Sequence, residues 1–108
     1  MEIREFVKEE ASQAHGDSIL ADDFLPEGLD APFDSAWGYL EAGKRMESHA
    51  HPTEEIYVII KGEGTVEIEE EREKVKVGDV VAIPPNKEHS IEAGDDNALL
   101  WAALWWEI

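Results

Sequence analysis

The stretch from Gly43 to Gly62 constrains this chain more than any other. It puts His49 and His51 two residues apart, and on an extended strand that spacing points both imidazoles to one face. A Pro52-Thr53 break separates them from Glu54 and Glu55. Ile56-Tyr57-Val58-Ile59-Ile60 then reads as a strand of branched and aromatic side chains. Two neutral imidazoles and one carboxylate converging from adjacent strands suit a divalent transition ion. A His-x-His pair alone fits a solvated surface turn better. A second segment argues against the turn, because Gly78 to Pro84 is another glycine-led strand. A short loop through Pro85, Asn86, Lys87 and Glu88 follows it, and a third imidazole, His89, heads the next strand.

These two segments resemble the paired motifs of the cupin superfamily. Gly43, His49, His51, Glu55 and Gly62 occupy every fixed position of the first, G(X)5HXH(X)3-4E(X)6G. Gly78, Pro84 and His89 fit the second, G(X)5PXG(X)2H(X)3N, with Asn86 in place of its glycine and Ala93 in place of its asparagine. Asparagine accepts a positive φ more readily than other non-glycine residues, so the turn at Asn86 is kept. The run between Gly62 and Gly78 has the length of one hairpin.

The resemblance implies an all-β double-stranded β-helix, the jelly-roll cupin barrel of the small conserved-barrel type. On that reading residues 1–108 form a single domain, with 1–34 as an N-terminal strand and loop segment and 35–108 as the barrel. It further implies that His49, His51, Glu55 and His89 hold one divalent metal ion (Mn, Fe, Ni or Zn). Glu54 is the rival carboxylate, but strand parity turns it away from the face shared by Glu55, Tyr57 and Ile59. The implied function is that of a metal-dependent enzyme acting on a small oxygenated metabolite: a keto acid, sugar acid or aromatic. Dioxygenase, isomerase, decarboxylase and lyase chemistry all belong to the family. The alternative is a non-catalytic binding or sensor barrel with a structural metal. For catalysis, Tyr57 shares the parity of Glu55 and could donate to an oxyanion. Arg45 shares the parity of His49 and His51 and could clamp a carboxylate. Lys87 is a weaker candidate.

Length and charge narrow the partners. A chain of 108 residues builds one core. No apolar run approaches a membrane span and no basic-then-apolar leader opens the chain, so it reads as soluble and cytoplasmic, without a membrane partner. The 26 acidic residues against 9 basic ones give a net charge of −17, which excludes nucleic acid as a partner. Much of that charge falls from Glu67 to Glu73, at an expected hairpin tip.

The other segments are short and punctuated by Gly, Pro and Asn, as in a barrel or sandwich. Glu2 to Lys8 alternates like an edge strand. Glu9 to Leu25 holds His15, which fits a turn; a sharper reading takes it to the barrel mouth or a partner subunit. Ser35 to Ala42 sets Trp37 and Tyr39 opposite Ala36, Gly38 and Leu40. Thr65 to Glu69 and a return through Val75 and Val77 make the acidic hairpin. Ala98 to Ile108 closes the sheet, and Leu99 to Trp106 within it is apolar on both faces, so a homodimer along this strand is expected. Cover by the chain's own N-terminal segment is the competing arrangement.

Overall fold

The computed structural model describes residues 1–108 as nine strands and one 3-10 turn at Lys8–Glu10. In chain order the strands are β1 (Ser12–Ala14), β2 (Ile19–Asp22), β3 (Asp34–Leu40), β4 (Glu54–Lys61), β5 (Glu63–Ile68), β6 (Glu71–Lys76), β7 (Val80–Ile83), β8 (His89–Ala93) and β9 (Leu99–Trp106). They form a six-stranded antiparallel sheet in the order β1-β2-β3-β9-β4-β7 and a three-stranded one in the order β6-β5-β8. Together these make the jelly-roll barrel. No helix is long and apolar enough to cross a membrane.

Period-two alternation decides what enters the core. Along β4, Glu55, Tyr57 and Ile59 are buried, while Ile56 and Val58 on the opposite face are half-buried. On β9 the inward row is Leu99, Trp101, Ala103 and Trp105. Trp101 is 1% exposed and lies across Gly38 of β3, where a Cβ would run into the indole ring. Gly62 makes the tight step from β4 to β5 at φ 86, against the carbonyl of Ala98. Such a φ is nearly free for glycine and costly for a residue with a side chain.

Several expectations need correction. Glu2 to Lys8 is not a strand. Arg4 Nε donates to the Leu25 carbonyl at 3.0 Å, and Phe6 stacks on Tyr39 at 5.4 Å. The segment is thereby held across the outer face of β3, where a backbone finds no ladder partner. Glu9 to Leu25 contains a hairpin, β1–β2, that was not expected. Val77 is 58% exposed, because β6 stops at Lys76 before the turn at Gly78.

The His49–His51 segment is not a regular strand either. It touches β8 through two isolated bridges, Arg45↔Glu92 and His49↔His89. Arg45 to His49 is four steps and Glu92 to His89 is three, so one extra residue is absorbed between the bridges. An insertion of that kind reverses strand parity. Met46, not Arg45, enters the core on the same side as His49.

Candidate metal centre

Three stretches of chain deliver the site. His49 and His51 come from the irregular segment, Glu55 and Tyr57 from β4, and His89 from the first position of β8. Paired backbone bonds hold the first and last together: His49 N–H donates to the His89 carbonyl at 3.1 Å and His89 N–H to the His49 carbonyl at 2.9 Å. The loop before β8 is fixed by Asn86, whose φ is 64 and whose N–H donates to the His51 carbonyl at 2.7 Å. Asparagine does here what the resemblance asks of a glycine.

Each imidazole is oriented by its own backbone. His49 Nδ1 donates to the Glu47 carbonyl at 3.0 Å and His89 Nδ1 to the Lys87 carbonyl at 2.9 Å. His51 Nδ1 faces Thr53, with the carbonyl oxygen at 3.2 Å and the hydroxyl oxygen at 2.8 Å. A carbonyl can only accept, so each ring carries its proton on Nδ1 and, when neutral, a lone pair on Nε2. One ligating nitrogen from each of the three rings lies within 4.8 Å of the others.

The donor set fits a divalent ion. His89 is 1% exposed, and its Nε2 is buried with no hydrogen-bond partner. Buried polar atoms of that kind are rare and call for a ligand. Glu55 Oε1 stands 2.9 Å from His51 Nε2 and 3.5 Å from His89 Nε2. Two lone-pair atoms this close repel unless a proton or a cation lies between them. Ligands about 2.1 Å from one ion and at right angles stand about 3 Å apart, which matches the closer pair. Burial holds the His49 imidazole below its usual pKa, and the facing His89 and His51 push the same way against the Glu47 carbonyl. The ring therefore favours the neutral, ligating form.

Beside the cluster is a cavity of about 360 Å³. His15, His49, His51, Thr53, Glu55 and Tyr57 supply its polar lining; Ile19, Met46, Trp101 and Trp105 are among the apolar residues. Tyr57 is 2% exposed and donates to Met46 Sδ at 3.9 Å. Burial, with Glu55 nearby, pushes its phenol well above the ordinary tyrosine pKa.

The expected site residues do not all meet. His49, His51 and His89 converge, Glu55 joins them through His51 and His89, and Tyr57 lines the cavity beside them, whereas Glu54 faces outward and accepts from Trp106 Nε1 at 2.8 Å. Arg45 is a correction: the parity reversal sends its guanidinium out of the cavity to Glu67 at 3.3 Å and Ser90 Oγ at 3.2 Å. Lys87 is exposed and touches the cluster only through its carbonyl.

A protein-family profile described as "Cupin domain" matches residues 37–107. The chain belongs to the cupin family. An uncharacterized protein of Methanocaldococcus jannaschii is 43% identical over 51 residues, 46% of this chain. The chain matches only 41% of that relative's length. A cupin 2 conserved barrel domain protein of Salinispora arenicola superposes with a TM-score of 0.87 at 26% identity, covering 99% of this chain and 89% of the other. A protein of Photorhabdus luminescens gives 0.83 at 26% identity, covering 97% and 87%. A Thermotoga maritima structure described as a predicted oxalate decarboxylase gives 0.74 at 26% identity, covering 83% and 81%.

Two parts of this cupin's site were poorly marked in the sequence. Thr53 reads as part of a turn, although its place two residues after His51 is where a carbonyl can reach Nδ1. His15 sits outside the matched residues, in the turn between β1 and β2. Its ring stacks on His49, with centroids 4.1 Å apart and planes 19° from parallel.

Proposed function

We propose that this cupin holds one divalent ion (Mn, Fe, Ni or Zn) through His49, His51, Glu55 and His89 and acts on a small oxygenated metabolite bound in the adjoining cavity. The observation that carries this reading is the buried, unpartnered Nε2 of His89, aimed at two further imidazoles and a carboxylate. Leaving such a set without a cation would strand buried polar groups. A bound ion would supply Lewis acidity, or dioxygen chemistry if it is iron.

The chain's own residues have separable tasks. Glu55 contributes the negative charge that offsets a dication. The backbone carbonyls of Glu47, Thr53 and Lys87 fix the ring orientations. Tyr57 stays protonated across the physiological range and is therefore a donor, suited to an oxygen on the ligand that gains negative charge. The cavity reaches the surface at His15, so a ligand has a way in. That access supports a ligand-handling centre over a purely structural, sealed metal.

Elemental analysis of untagged protein tests the reading. Wild type is expected to carry one equivalent of a divalent metal, and His49→Ala and His89→Ala to carry none. A full equivalent retained in both variants would overturn it.

A further inference from the structure

Two polar side chains lining the cavity have no partner and no task yet: the buried indole Nε1 of Trp37, and His15 at the mouth. The three clustered imidazoles each have Nδ1 tied to a carbonyl two residues away, and Tyr57 is bonded to Met46. His15 is exposed at the cavity mouth, and its ring makes no hydrogen bond within the protein, so its nitrogens are open to water or a ligand. It is outside the three-imidazole cluster, and stacking nearly parallel to His49 keeps the two rings from converging on one ion.

The fold spends strain to put it there. His15, Gly16 and Asp17 have φ of 51, 68 and 63, three successive left-handed residues. A non-glycine residue in that region costs on the order of 1–3 kcal/mol. The turn is then pinned: Ser18 Oγ donates to the His15 carbonyl at 2.6 Å and accepts from Glu47 N–H at 2.8 Å. Glu47 is also the residue whose carbonyl orients His49. The hairpin tip is thus tied to the metal-bearing segment, and His15 is held over the opening.

The rest of the lining narrows the ligand. Among its residues there is no Lys and no Arg, and beyond the polar end the wall is Ile19, Trp37, Gly38, Met46, Trp101, Trp105 and alanine methyls, with the Trp37 indole Nε1 as its one free donor. A small dianion or a sugar acid would find no cation other than a metal and few hydrogen-bond partners. A molecule with one oxygen-bearing head and a flat apolar body fits both ends, at a volume near the lower limit of roughly 300–1,000 Å³ for small-molecule sites.

Resting on the proposed metal centre, we propose that His15 is a ligand-binding residue of this cupin. Its free ring nitrogen hydrogen-bonds the head of a small aromatic hydroxy or keto acid, and the ligand's ring lies against Trp101 and Trp105. Stacking on His49 sets the direction of that bond.

Cobalt(II)-loaded protein provides the test, with salicylate and oxalate as probes followed by calorimetry and the cobalt absorption bands. Wild type is expected to bind salicylate more tightly than oxalate. His15→Phe keeps the stacking and one equivalent of cobalt but loses salicylate affinity by about tenfold or more, the scale of one hydrogen bond to a charged group. His15→Gln restores most of it. Phe and Gln carry a similar backbone cost at this φ, so their difference reads the hydrogen bond. Equal salicylate affinity in wild type and His15→Phe overturns the proposal, as does a preference for oxalate or loss of cobalt from His15→Phe. Wild-type protein that takes up no divalent ion overturns the metal centre itself, a separate result read before any probe is added.

Discussion

Glu54 and Glu55 are neighbours in the chain and lie on opposite sides of the barrel wall. Glu55 is 7% exposed and stands 2.9 Å from His51 Nε2, whereas Glu54 accepts from the Trp106 indole on the outer face. Removing the charge should therefore separate them sharply. Glu55→Gln is expected to weaken metal binding at least as much as loss of an outer-shell partner does, about 10–100-fold. Glu54→Gln should leave it unchanged. Competition with a chromophoric chelator measures both, and equal effects would place the wrong carboxylate in the cluster.

Gly38 is expected to resist even one added methyl group. Its Cβ position is taken by the Trp101 ring, which is rigid and fully buried. Gly38→Ala should cost about 1–3 kcal/mol through overpacking, with roughly 4–8 °C of melting temperature for each kcal/mol. Since Trp101 also walls the cavity, indole fluorescence should shift with it. An unchanged melting curve would mean that the sheet yields at this point.

Glu67 carries the pH prediction. Arg72 donates to its carboxylate and Arg45 adds a second contact, so its pKa is lowered, with the Arg72 bond as the largest cause. A lowered carboxylate pKa means that stability from the pair is present above the unfolded value and is lost as pH falls through the folded one. The carboxylate is half-buried but its arginine partners are exposed to water, which screens the pair, so the effect on stability is small. Arg72→Ala should raise the Glu67 pKa toward its ordinary value, as followed by carboxyl NMR. No movement would assign the shift to Arg45 instead.

The outer row of β9, Leu100, Ala102, Leu104 and Trp106, continues into β4 and β7, where Ile60 is 40% and Val80 61% exposed. Phe6 covers the Tyr39 and Trp37 end of this face and Phe24 packs edge-on to Trp37, so the chain's own N-terminal segment supplies part of the cover. We expect the remainder to pair two copies of the chain, since burying each large apolar side chain is worth roughly 1.5–3 kcal/mol. Two chains at −17 repel, so the dimer should tighten as salt screens them. Sedimentation at low and high salt measures this, and a micromolar monomer in both would rule the dimer out.

Much of this was legible in the sequence because a strand has period two. Parity alone separates Glu55 from Glu54 and sets Gly38 opposite Trp37. The same rule misplaced Arg45, since it fails across an inserted residue, and nothing in Arg45-Met46-Glu47-Ser48 announces the insertion. Only its two bridges to β8 reveal it. The β1–β2 hairpin was hidden for a different reason. Its strands have three and four residues, too few for alternation to register, and its turn depends on left-handed φ values at His15 and Asp17 that sequence alone does not demand.

That hairpin divides labour along the chain. The imidazoles and carboxylate that would hold an ion all fall between His49 and His89, while His15, at the mouth of the cavity, comes from the β1–β2 hairpin at the edge of the six-stranded sheet. On the proposed reading, selectivity and metal chemistry would be carried on separable modules. Exchanging four or five residues around His15, with the remaining sequence untouched, would then be a route to a different guest on the same centre.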